Sequence, residues 1–320
     1  MFIYRVQAFG KYKQHVIEHS HSGNLLAFIP EKGATITDAK FRLHNKLWSV
    51  IDGYTSAEEL RHFEFYKNAL LFPFANRINN GTYEWKGNTY HFPINETERN
   101  NALHGFATQY GFEVTSVDLA SDSAVVYMNW NYEGDQTAYP FPLRVDLSYE
   151  ITADNGITAR IKVANQHSEV IPVALGWHPY FRLGGRLNYW ELKLPKCQQV
   201  STDDRMLPEG ETVPFAGFFR RKRIGDLTFD DCFKVTAKGD PAEVHLQHPT
   251  AEVRLRYWQR KSKNGFQYFQ LFTPPLRQSI AIEPMTGNIN AFNNGEGLVS
   301  LAPQASTEWV YGFQLQSIRS

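Results

Sequence analysis

Val145-Asp146-Leu147-Ser148-Tyr149-Glu150-Ile151, then Asp154-Asn155-Gly156, then Ile157-Thr158-Ala159-Arg160-Ile161-Lys162-Val163 is the stretch that decides the fold class. In both runs apolar and polar residues alternate with a period of two, as a strand with one buried and one wet face requires. The Asn155-Gly156 pair between them suits the positive φ angles of a tight hairpin. Further along, Val253-Arg254-Leu255-Arg256-Tyr257 repeats the alternation, with Asn264-Gly265 as punctuation. Upstream, Tyr83-Glu84-Trp85 and Tyr90-His91-Phe92 flank Lys86-Gly87-Asn88 as a second hairpin. Helical signals are scarce; Ser56-Ala57-Glu58-Glu59 reads as a capping box, in which Ser56 and Glu59 satisfy each other's backbone donors. Strands do not alternate with helices, and no repeat, low-complexity tract or linker divides the chain. The pattern predicts an all-β protein, one large antiparallel β-sandwich domain over residues 1–320.

Composition narrows the partners. Lys and Arg total 33 against 33 Asp and Glu, so the chain lacks the broad basic field that nucleic acid or an anionic membrane would need. Aromatic residues make up 14% and charged residues only 21%, which implies a well-packed globular chain. Cys197 and Cys232 form no C-x-x-C pair, which argues against a thiolate zinc cluster and excludes a disulfide framework. Two reduced thiols in a cytoplasmic protein are expected. No apolar run approaches the ~18 residues of a membrane helix, and Met1–Gln7 does not read as a signal peptide.

Three segments look unlike ordinary strand and turn sequence: Phe72–Tyr83 leading to Leu103-His104-Gly105, then Gly176-Trp177-His178-Pro179-Tyr180-Phe181, then Ile282-Glu283-Pro284 continuing to Phe292-Asn293. His178 and Glu283 each precede a proline, which biases them toward extended backbone and fixes the next φ near about −65°. A stiff backbone helps a group that must meet a substrate within hydrogen-bond reach. His248-Pro249 carries the same dipeptide in a polar loop, so His-Pro alone decides nothing. Trp177, Tyr180 and Phe181 around His178, and Phe292 after Glu283, offer aromatic faces that could pack on a pyranose, or else they fill the core.

Taken in order, Asn76-Arg77-Ile78 with Gly81 and Tyr83, Leu103-His104-Gly105, His178-Pro179-Tyr180-Phe181, and Glu283-Pro284 with Phe292-Asn293 resemble the aldose 1-epimerases, or galactose mutarotases. The resemblance runs from about residue 70 to the C-terminus and implies a galactose mutarotase-like supersandwich with the sugar in an open cleft on one sheet. It implies Glu283 as general base, His178 as general acid and His104 as a second active-site histidine. It also implies Asn76, Arg77, Tyr180 and an aspartate of Phe229-Asp230-Asp231-Cys232-Phe233 as sugar-binding residues, with Asp230 favoured over Asp231. The family often has glycine after the proline near Pro303, where this chain has Gln304.

The implied reaction interconverts the anomers of a free aldohexose such as glucose or galactose. A carboxylate takes the anomeric proton while an imidazolium protonates the ring oxygen, each worth about 10²–10⁴-fold in rate. No electron or group is transferred, so no cofactor or metal is expected. The only expected partner is a small aldose, with the chain as monomer or homodimer. With ordinary pKa values, activity would peak between about 4.3 and 6.5. A nearby carboxylate would carry the alkaline limb toward neutrality, and burial of His178 would oppose it. Three alternatives stay open at this level: a hexose-6-phosphate mutarotase with Arg220-Arg221-Lys222-Arg223 as phosphate site, a non-catalytic sugar-binding protein, and a glycoside hydrolase using Asp230 or Asp231 with Glu283.

Overall fold

A computed structural model describes residues 1–262 and 264–318. The alternating runs become neighbouring strands, Leu143–Thr152 and Gly156–Asn165, in a nine-stranded sheet. Val145, Leu147, Tyr149 and Ile151 are buried, whereas Asp146, Ser148 and Glu150 lie on the wetter outer face. The long strand Ser306–Ser317 sits at the centre of this sheet, pairing antiparallel with Gly156–Asn165 on one side and Val253–Gln259 on the other. An eight-stranded sheet packs against it and includes Asp230–Val235, Tyr268–Phe272 and Ile280–Met285 as adjacent antiparallel strands. A five-stranded antiparallel sheet over Phe2–Ser49 completes the sandwich. Facing side chains interlock between the layers: Trp177 stacks on Tyr311 at 4.6 Å, and Phe181 meets Phe313 at 5.2 Å and Tyr257 at 5.9 Å. One buried apolar cluster runs from Phe2 to Leu315.

The turns differ from expectation in detail. The Lys86-Gly87 hairpin has both central residues left-handed, at φ 53° and 81°. At Asn155-Gly156 only Asn155 is left-handed, at φ 69°. That turn is longer: Thr152 accepts the Gly156 N–H on Oγ1 at 3.2 Å, so one left-handed residue suffices. In the helix Ala57–His62, Ser56 Oγ accepts the Glu59 N–H at 3.1 Å, and the Glu59 carboxylate reaches back chiefly to Thr55 N, at 2.8 Å, with a weaker interaction at the Ser56 backbone. Both cysteines are free and buried. Among the described residues no helix is long and apolar enough to cross a membrane.

Candidate active site

The strands Arg77–Asn79 and Asn101–Leu103 pair so that Asn76 and His104 meet at their ends. Each grips the other: His104 N donates to Asn76 O at 2.9 Å, and Asn76 N donates to His104 Nδ1 at 3.2 Å. Both residues are left-handed, with φ of 61° and 66°. Gly105 follows at φ 68°, where a Cβ would lie 2.3 Å from Phe72 O; the motif needs glycine there for conformation and for space. The donor onto Nδ1 fixes a lone pair on that nitrogen and so leaves the proton of the neutral ring on Nε2.

His178 enters from the opposite side, on the connection between Gly176–Trp177 and Tyr180–Phe181. Glu283 projects from Ile280–Met285, directly across the ladder from Gln270. His178 Nε2 stands 3.4 Å from Glu283 Oε1, and the His104 and His178 rings meet edge to face at 5.2 Å. Glu283 Oε2 is buried without a hydrogen-bond partner, and His178 Nδ1 has none outside its own backbone. These groups line a cavity of about 350 Å³ together with Asn76, Arg77, Tyr180, Asp230 and Gln270.

A polar chain backs the cavity. Gln270 Nε2 donates to Asp230 Oδ1 at 2.8 Å, Asn76 Nδ2 to Gln270 Oε1 at 3.2 Å, and Arg77 Nη1 to Asn76 Oδ1 at 3.1 Å. Arg77 also forks onto Glu96, at 2.9 and 2.8 Å, and Glu96 accepts further bonds from Asn101 and Arg99. Burial pulls the Glu96 carboxyl up, but those donors outweigh it and hold it below the ordinary value.

Burial governs the protonation of Glu283, His178 and His104. It pushes Glu283 well above the usual carboxyl range, with the Asp230 charge adding to the effect and Arg77 opposing it. It pushes His178 down to about 3, and it lowers His104 as well, helped by His178 and Arg77. Burial therefore pushes both members of the pair toward their neutral forms, against the ion pair anticipated from ordinary pKa values. The ligand atoms of His104, His178 and Glu283 all lie within 4.8 Å of one another, a spacing a metal could span. His104, however, presents an N–H into the cavity, because its lone pair faces Asn76 N.

All seven residues anticipated from sequence line this one cavity. The strand pleat separates the two aspartates: Asp230 faces the cavity, whereas Asp231 turns to Gln199 at 2.7 Å. The aromatic set divides between the two readings left open by the sequence. Trp177, Phe181 and Phe292 are buried core residues, because their positions face the packed interior; Tyr180 alone of that set lines the cavity. The other aromatic walls are Phe65, Tyr66 and Phe272, which sequence reasoning missed. So was Gln270, whose signal was a polar residue inside the otherwise apolar run Tyr268-Phe269-Gln270-Leu271-Phe272. Phe65 and Tyr66 carry no such signal, since their place depends on an irregular left-handed backbone.

The family model for aldose 1-epimerase matches residues 15–314. The chain belongs to the aldose 1-epimerase family. Among relatives, the uncharacterized protein YihR of Escherichia coli is 26% identical over 72% of this chain and 73% of its own length. Human galactose mutarotase is 29% identical over 58% of this chain, and the match spans 54% of that protein. Two solved structures share the fold: a galactose mutarotase-like protein from Clostridium acetobutylicum (TM-score 0.87, 21% identity, 99% of this chain and 98% of that one) and galactose 1-epimerase from Lactobacillus acidophilus (TM-score 0.81, 16% identity, 100% and 99%).

Gln304, where the resemblance led to an expectation of glycine, is left-handed at φ 59°, a conformation that glycine adopts without steric cost. Arg220–Arg223, by contrast, takes no part in the cavity. Lys222–Arg223 forms the exposed edge of the nine-stranded sheet, and Arg223 lies over the Tyr189 ring at 4.9 Å.

Proposed function

We propose that this chain interconverts the α and β anomers of a free aldohexose such as glucose or galactose, with Glu283 as base and His178 as acid. The observation that carries this reading is the buried His178–Glu283 pair at 3.4 Å, with Oε2 of the carboxyl unpartnered beside the cavity. Asn76, Arg77, Asp230 and Gln270 supply the donors and acceptors that sugar hydroxyls require.

The neutral pair and the reactive pair hold the same number of protons. Shifting one proton from the Glu283 carboxyl to His178 Nε2 yields carboxylate and imidazolium without uptake from solvent. Sugar oxygens replacing lost hydration favour that charged form. Glu283 then removes the proton from O1, the C1–O5 bond breaks as C1=O1 forms, and His178 protonates O5. Rotation about C1–C2 turns the other carbonyl face to O5. In closure O5 returns its proton to His178 while O1 recovers one from Glu283. His104 Nε2–H supplies a fixed donor to a substrate oxygen throughout.

The test is NMR of α-glucose and α-galactose relaxing to their anomeric mixtures with and without the protein. Acceleration proportional to protein concentration is expected. No acceleration for any free aldose would overturn the assignment.

A further inference from the structure

We infer that Asn68 is the positioning residue for His178, holding its ring opposite Glu283; this rests on the acid role assigned above. Asn68 is 1% exposed and left-handed at φ 57°, and it stands behind the cavity wall rather than in it. It grips the histidine segment at successive points. Asn68 N donates to His178 O at 2.8 Å, and Asn68 Oδ1 accepts the Tyr180 N–H at 3.0 Å. The Trp177 indole N–H donates to Asn68 O at 3.0 Å, and Asn68 Nδ2 is anchored on Asp52 O at 3.1 Å.

The grip fits the chemistry of the segment. Pro179 has no N–H, so the first backbone donor after His178 is Tyr180 N, and that is the one Asn68 takes. On the other side Ile282 N donates to Pro179 O at 3.2 Å, next to Glu283. The His178-Pro179-Tyr180 backbone is thus clamped between Asn68 and the strand that carries its partner carboxyl. Tyr180 in turn stacks flat on the His178 ring, with centroids 5.0 Å apart and planes within 7°. Holding Tyr180 N therefore fixes both the backbone of the histidine and the ring that flanks it. The same strap, residues 63–68, has Phe63, Phe65, Tyr66 and Asn68 left-handed, and its Phe65 O accepts the Tyr180 hydroxyl at 3.1 Å. Non-glycine residues held there are strained, and such conformations cluster where geometry matters for function. A left-handed backbone directs Asn68 N and Oδ1 to the same segment.

Asn68→Gly tests this, because glycine keeps the left-handed backbone and its bonds while removing only the amide side chain. Expected is a fall in kcat of about tenfold or more with KM within about twofold, since misplacing an acid affects the transition state and not uniform binding. The acid limb of the pH profile should also rise from about 3 toward the ordinary histidine value as His178 gains water. Asn45→Gly, the same change at a left-handed hairpin residue with φ 59°, should alter neither. Asn68→Asp keeps an acceptor for Tyr180 N and should retain more kcat than Asn68→Gly. A folded Asn68→Gly protein with parental kcat and acid limb would overturn the inference. Were the glycine variant not to fold, an Asn68→Asp protein with parental kcat would support it, and one with kcat lost and the acid limb unmoved would overturn it. A parent inactive on every aldose would instead sink the assigned function.

Discussion

His178 Nε2 and Glu283 Oε1 face each other across 3.4 Å, both side chains buried at the wall of the cavity. Burial favours the state in which the pair holds one proton. Gaining a second would bury a cation, and losing the last would bury an anion. The acid limb of kcat/KM should therefore lie near 3, where His178 protonates, and the alkaline limb well above 4.5, where Glu283 ionises. The alkaline limb thus belongs to the proton held by the carboxyl and not to an ordinary imidazolium. Saturation-transfer NMR of anomer exchange, corrected for the spontaneous rate, should give a plateau that starts near pH 3 and extends well above pH 4.5. A bell peaking between about 4.3 and 6.5 would mean that the pair titrates as if exposed.

Glu283→Gln should bind sugar, by calorimetry, but turn it over about 10²–10⁴-fold more slowly. Stability should move the other way. The folded pKa of Glu283 lies above its unfolded value, so its destabilising effect is absent below the unfolded value and grows as pH rises toward the folded one. The variant should melt higher than the parent at neutral pH and level with it near pH 4. A lower melting temperature at neutral pH would show that the carboxyl is not buried as described.

Asp230→Asn and Asp231→Asn should separate cleanly. Asp230 faces the cavity, and its charge helps to raise Glu283. Its replacement should raise KM and move the alkaline limb toward acid, because an ionised Glu283 becomes easier to form. Asp231, held by Gln199 on the other side of the pleat, should leave the limb in place. Equal shifts from both variants would contradict the assignment of faces.

Arg77→Ala should weaken sugar binding and also destabilise the fold. It strands Glu96, whose side chain is 12% exposed, without its forked partner. Leaving a buried charge unpaired costs about 3–5 kcal/mol, and the Arg99 contact that Glu96 keeps at 3.1 Å should hold the loss below that. Adding Glu96→Gln should recover much of that loss in urea unfolding, while KM stays high. A double variant no more stable than Arg77→Ala would remove the ion pair as the cause.

Gly105→Ala should be far more damaging than Gly87→Ala, although both glycines are left-handed. A methyl at 105 would press on Phe72 O at 2.3 Å, whereas Gly87 has open space. The conformational strain is about 1 kcal/mol in either case. The excess at 105 should appear as a lower melting temperature together with lost activity, because His104 is the next residue.

The sequence alone carried the architecture, because alternation such as Val145 to Ile151 is a local property that sheet pairing preserves. It also carried the motifs around His104, His178 and Glu283, since glycine and proline leave their backbone demands legible residue by residue. Tertiary structure decided what depends on distant neighbours. Asp230 and Asp231 differ only in which face of the pleat meets the cavity, and that follows from pairing with Tyr268–Phe272. Trp177 and Phe181 went to the core because Tyr311 and Phe313 stand opposite them. Phe65, Tyr66 and Asn68 reached the site through a left-handed strap that no periodicity announces. The protonation state of His178 and Glu283 was equally out of reach of the sequence, because desolvation is the sum of every atom packed around a group and belongs to no single residue.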